Sequence, residues 1–139
     1  MRFMVMVKAT KGTEAGEMPT EAQLAEMGRF NEEMVKAGVM LSGEGLHPSV
    51  KGARIRFSDD GVTAVDGPFP AGGNLVCGFW MIETASRDEA IAWMKRAPFA
   101  PGDELELRQV FEAEDFGEAF TPELREQEER LRAEVAARR

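Results

Sequence analysis

Two rhythms of apolar and polar positions alternate along this chain. Residues 2–8, RFMVMVK, are apolar and compact, which predicts a buried first strand. A loop rich in Gly, Thr and Glu runs to Pro19, and Thr20 to Gln23 then has the form of a capping box. Leu24, Met27, Phe30, Met34 and Val35 recur on one face at helical spacing, and Gly38 supplies a stop. The spacing predicts a helix over 21–37, packed by one side.

The period then shortens. VMLSGEGL, 39–46, reads as a second strand. ARIRFS, 53–58, alternates up to Asp59-Asp60-Gly61, a hairpin signal, and VTAVD, 62–66, is its partner. LVCGFWMIET, 75–84, is the longest apolar run and reads as the central strand. Ser86 to Glu89 opens a second helix, with Ala90, Ile91, Trp93, Met94 and Ala97 on its buried side and Pro98 at its end. ELELRQVFE, 104–112, is a last alternating strand.

Strand, helix, strand, inserted hairpin, strand, helix, strand is a split βαβ plan of the ferredoxin-like, α+β kind. Its helices cover one face of an antiparallel sheet. The other face also carries apolar residues, and too few residues remain for another layer of helices. A second copy of the chain, sheet against sheet, is the economical cover, so a homodimer is expected.

After Asp115 the composition shifts, which divides the chain into a domain over 1–115 and a helical extension over 116–139. Thr121 is a candidate N-cap and Pro122 stands at the first helical position. Glu126–Arg130, Glu128–Arg132 and Glu134–Arg138 are spaced four apart with Glu first. Leu124, Leu131 and Val135 form a narrow apolar stripe, so this helix is expected to be mostly solvated.

Charge narrows the function. A net charge of −8, with dispersed Lys8, Lys11, Lys51, Arg54 and Arg56, excludes a phosphate-binding surface for nucleic acid and disfavours an acidic membrane. The apolar start is too short for a signal-peptide core or a bilayer span. The one cysteine, Cys77, leaves no disulfide framework and suits a reducing cytoplasm. With one histidine and no CxxC, no metal site of the usual zinc type is expected. Walker, GxGxxG and GxSxG motifs are absent, and no cofactor is expected.

The candidate chemistry lies around the hairpin. His47, in SGEGLHPSV, follows the second strand, with Glu44 three residues earlier between Gly43 and Gly45. A carboxylate and an imidazole at one strand end can share a proton. Asp66, in Asp66-Gly67-Pro68-Phe69, is either a turn former bonded to its own backbone or a third polar group of the same site. Phe69 is a candidate anchor beside it. Phe79 and Trp80 are adjacent on the central strand and so face opposite ways, one toward the helices and one toward the second sheet.

The run from GEGLHP through DGPF to CGFWMIE, followed at once by a capped helix, resembles the YCII-related family, in the branch named for its DGPF motif. The resemblance covers roughly residues 1–112 in order and spacing. It implies a dimeric α/β barrel, two ferredoxin-like sheets stacked face to face with a cleft at their interface. Glu44, Gly45, Pro48 and Asp66 to Phe69 carry over, and His47 only weakly. The family's acidic, lysine-containing continuation after DGPF is replaced here by Pro70-Ala71-Gly72-Gly73-Asn74.

Three functions are compatible with these features. The first is a small-molecule-binding or accessory protein, which the missing charges after Phe69 favour. The second is a small enzyme moving protons on, or eliminating a group from, an organic molecule, with Glu44, His47 and Asp66 as acid and base. The third is a cofactor-free oxygenase-like barrel with Phe79 and Trp80 shaping an apolar cavity. In each, Phe69, Phe79 and Trp80 are the candidate ligand-pocket residues.

Overall fold

The computed structural model describes residues 1–70 and 72–138. Met1–Gln109 and Val110–Arg139 are separate compact units.

In the first unit, β1 (Arg2–Lys8) lies at the centre of a four-stranded antiparallel sheet with β2 (Met40–Gly45), β5 (Val76–Glu83) and β6 (Leu105–Gln109). The order β2-β5-β1-β6 is the ferredoxin-like order, with the hairpin β3 (Ala53–Ser58) and β4 (Gly61–Asp66) inserted between β2 and β5. The hairpin forms a two-stranded sheet of its own, closed at Asp59 and Asp60 as the turn chemistry predicts.

Helix α2 (Glu21–Lys36) begins where its capping box predicts. The Thr20 side chain accepts from the Gln23 N–H, and the Gln23 side chain accepts from the Thr20 N–H. It ends in a Schellman motif: the Val39 N–H donates to the Met34 carbonyl at 2.8 Å and the Gly38 N–H to that of Val35 at 3.0 Å. Gly38 takes the required positive φ of 73°. Phe30 and Met34 are buried, whereas Leu24 and Val35, predicted on the same face, are exposed. Helix α3 (Arg87–Met94) starts at Ser86 and buries Ala90 and Met94. The core is the layer between these helices and the sheet, built on Phe3, Val5, Phe30, Met34, Trp80 and Ile82.

The segment read as a plain loop after β1 contains a short helix, α1 (Lys11–Glu14), closed by a reciprocal Thr10–Thr13 cap. That pair lies in a stretch too short for a periodic signal. In the second unit, the C-terminal helix α4 (Pro122–Ala137) has the N-cap Thr121 and first-position Pro122 expected of it. Of its three expected Glu–Arg pairs, Glu128–Arg132 forms at 3.0 Å. A short helical segment (Ala113–Ala119) precedes α4, and Phe111, Phe116 and Phe120 stack along it with ring centroids 5.0 and 5.5 Å apart.

Candidate functional site

Strand alternation turns Gly43 and Gly45 of β2, and Gly78 and Trp80 of β5, toward the helices. Three of these four positions have no side chain, so the sheet there stays bare beneath α2. The result is an open cleft of about 720 Å³ between the sheet, α2, the segment around α1 and the Pro98–Asp103 loop.

Trp80 closes one end. Its indole N–H donates to Asn31 Oδ1 on α2 at 3.0 Å. Phe30 and Phe99 meet its ring edge-on, with centroids 5.9 and 6.1 Å away. Gly43 makes room for it, since a β-carbon there would lie 2.7 Å from Trp80 Cδ1. Gly45 differs: a β-carbon there would meet nothing within 4 Å, because it would enter the cleft.

The other end is polar. Across β1 and β5, Val7 pairs with Gly78 but Lys8 pairs with Val76, so Cys77 is an extra, bulged residue. The Cys77 thiol, on the cleft wall, donates weakly to the Lys8 carbonyl at 3.8 Å. Burial pushes it above the ordinary thiol range, against the opposing effect of a Thr13 hydrogen bond. Lys8 is engaged elsewhere, with Glu106 at 3.2 Å and the Gly73 carbonyl at 2.9 Å.

The predicted site residues are split by this geometry. Trp80 forms a wall of the cleft, and Glu44 and Phe79 border it. Glu44 and Phe79 are cross-strand partners on the face opposite Trp80. His47 and Asp66 are exposed, Phe69 is half-buried, and none of the three lines the cleft. This cleft is formed within one chain.

The DGPF segment has a different setting. The Phe69 N–H donates to Ser49 Oγ at 2.9 Å. Ser49 in turn donates from its N–H and its hydroxyl to the Glu14 carboxylate, at 2.9 and 2.5 Å. The Gly67 N–H donates to the Gly52 carbonyl at 2.9 Å, and the Gly67–Pro68 peptide is cis. The Arg54 guanidinium lies 4.0 Å above the Phe69 ring. Through Ser49, the motif and α1 hold the turn after β2 from both sides. The replaced segment after Phe69 adds the Gly73 carbonyl as a partner for Lys8, and Ala71 lies outside the described residues.

Asn31 and Cys77 were missed from sequence. Asn31 had a signal: it is a polar residue among Met27, Phe30 and Met34 on the packed stripe of α2. Cys77 had none, since a bulge one residue long leaves the apolar run intact. Among the described residues, no group of three or more His, Cys, Asp or Glu side chains is placed to hold a metal ion, and no helix is long and apolar enough to cross a membrane.

No curated protein matches the sequence. A solved structure with likeness to it is 5-chloro-2-hydroxyhydroquinone dehydrochlorinase (TftG) from Burkholderia phenoliruptrix AC1100, in complex with 2,5-dihydroxybenzoquinone. The two are 18% identical, the match covers 82% of this chain and 98% of that one, and the TM-score is 0.43. The YCII-related domain matches residues 1–114. By that match over most of its length, the chain belongs to the YCII-related family.

Proposed function

We propose that this chain binds a small, largely apolar organic molecule in the cleft between α2 and the sheet. The observation that carries this is the bare floor at Gly45 beneath about 720 Å³ of open space, beside Gly43, which leaves room for the Trp80 ring at one end. That volume is within the range of small-molecule sites, roughly 300–1,000 Å³. The cleft has an aromatic end at Trp80 and Phe99 and a polar end at Thr13, Cys77 and Asp103. Gly45→Leu tests it. The substitution fills the cleft from a position with open space around it, so the protein should fold and lose uptake of small aromatic probes, read at the Trp80 indole N–H by NMR. Unchanged uptake in Gly45→Leu would refute the assignment.

A second reading is acid-base chemistry on the sheet face away from the cleft, favoured by one observation, that Glu44 is exposed there beside its cross-strand partner Phe79. His47, three residues further on, and Asp66, at the end of β4, would complete the acid-base set. Loss of turnover in Glu44→Gln with uptake intact would support it.

The functional unit in this reading is a homodimer. On one face of the hairpin, Ile55, Phe57 and Val62 are 56%, 79% and 62% exposed, and an isolated two-stranded hairpin is marginal in water. Met4, Met6, Phe79 and Met81 add apolar surface on the sheet face away from the helices. A second copy covers both, sheet against sheet, as a dimeric α/β barrel. A reducing cytoplasm suits the half-buried free thiol of Cys77. The ligand-binding domain is residues 1–115, and 116–139 are an appended helical extension.

A further inference from the structure

We infer that Asn31 selects the ligand, by donating a hydrogen bond from its amide nitrogen to a neutral acceptor oxygen on a flat, apolar molecule. This rests on the reading that the cleft binds a small molecule.

The orientation of the Asn31 amide follows from its partner. An indole N–H only donates, so the atom facing Trp80 Nε1 at 3.0 Å must be the amide oxygen. The NH2 group is therefore turned away from Trp80. Among the described residues it donates to nothing in the chain, although Asn31 is only partly exposed and lines the cleft. The NH2 is open to the solvent in the cleft, so a ligand's acceptor can take the place of water there. The cleft is where it finds an acceptor.

The surroundings define the rest of the molecule. Trp80, Phe99, Met27 and Met40 wall the same end of the cleft, so the body beside the acceptor is apolar, and aromatic edges favour a flat one. The acceptor is neutral. Glu17, Glu26 and Asp103 line the cleft, and the nearby cation, Lys8, is already paired with Glu106 at 3.2 Å. A carboxylate or phosphate would face like charge, and among the described lining residues the one cation, Lys8, is already neutralised by Glu106. An aryl ketone or a similar carbonyl compound fits.

Acetophenone and ethylbenzene test this. They match in size, and only the first carries an acceptor. Titrations would follow the Trp80 indole N–H and the Asn31 side-chain NH2 resonances. In the native chain both probes should shift the indole signal, with acetophenone binding about five-fold tighter, as one net hydrogen bond gives. Only acetophenone should move the Asn31 NH2 signals. Asn31→Asp keeps an oxygen for the indole and removes the donor, so it should lose that preference while still taking up ethylbenzene. The NH2 readout in the native chain decides the matter even if this variant fails to fold. Equal affinities with unmoved NH2 signals, or a preference retained in Asn31→Asp, would overturn the role of Asn31 and leave the cleft assignment standing. If neither probe shifts Trp80, both the cleft assignment and this one fail.

Discussion

Gly67 packs directly on the carbonyl of Ser49, so that a β-carbon on Gly67 would overlap that oxygen. The contact joins the end of β4 to the turn after β2, and it explains why the motif contains a glycine. Gly67→Ala is expected to destabilise the fold by about 1–3 kcal/mol, the usual cost of forcing extra atoms into a packed contact. Asp66→Asn, at the exposed neighbour, is expected to stay within about 0.5 kcal/mol. Urea unfolding of both variants measures the contrast. Similar losses at both positions would mean that the Asp66 carboxylate also holds the turn.

Ser49 joins three segments by accepting from the Phe69 N–H and donating to Glu14. Ser49→Ala removes the hydroxyl and leaves a partly buried N–H and a carboxylate oxygen without that partner. A loss of about 1–3 kcal/mol is expected. Glu14→Gln should cost less, because an amide oxygen can still accept one of the two bonds from Ser49. A neutral Ser49→Ala would show that solvent replaces the hydroxyl.

Assembly is tested at Phe57, which is 79% exposed on the apolar face of the hairpin. Light scattering of the native chain should return the mass of two chains. Phe57→Lys should return one, since it places a charge where the second copy would pack. A native mass of one chain would remove the homodimer from the proposal.

The Cys77 thiol keeps its proton to higher pH in the folded chain than in the unfolded one, because burial disfavours the thiolate. Stability tied to this group is therefore complete below the ordinary thiol range. It declines as pH rises from the unfolded value toward the raised folded one. Thermal melts should fall more steeply in that alkaline window for the native chain than for Cys77→Ser. Modification by a thiol reagent at neutral pH should be slower than for an unstructured cysteine peptide, and a faster reaction would contradict the raised value.

Glu106 shifts the opposite way. The Lys8 hydrogen bond, then that of Arg108, hold its carboxyl below the ordinary range. The associated stability is fully present above the ordinary carboxylate range and is lost as pH falls through the depressed folded value. The group is well solvated, so the effect should be small and should shrink in high salt. Comparing acid unfolding of Glu106→Gln at low and high salt checks this.

The strands and helices of the first unit were legible because each has a periodic apolar face and a chemical stop. Thr20 with Gln23, Gly38, the Asp59-Asp60-Gly61 turn and Ser86 are examples. The bounds of β3 and the start of α2 follow directly from them. The faces were harder to read. Leu24 and Val35 have the right spacing but are exposed, since a period of 3.6 does not say how wide the packed stripe is. The site was legible in part. Trp80 emerged from its place on the longest apolar strand, and Gly43 and Gly45 from flanking a carboxylate. Grouping Glu44, His47 and Asp66 relied on closeness along the chain, whereas the cleft gathers residues from α2, β5 and the loop after α3. The Asn31–Trp80 bond spans 49 residues and has no local signature.

The glycine floor separates the size of the site from the integrity of the fold. At Gly45 the space that a side chain would take is empty, and the backbone there needs no left-handed conformation. A methyl, an isopropyl or an isobutyl group at this one position would shorten the cleft in steps without displacing a core contact. Related chains can therefore diverge in the molecules they admit through a single codon, while the α2–sheet packing beneath stays as it is.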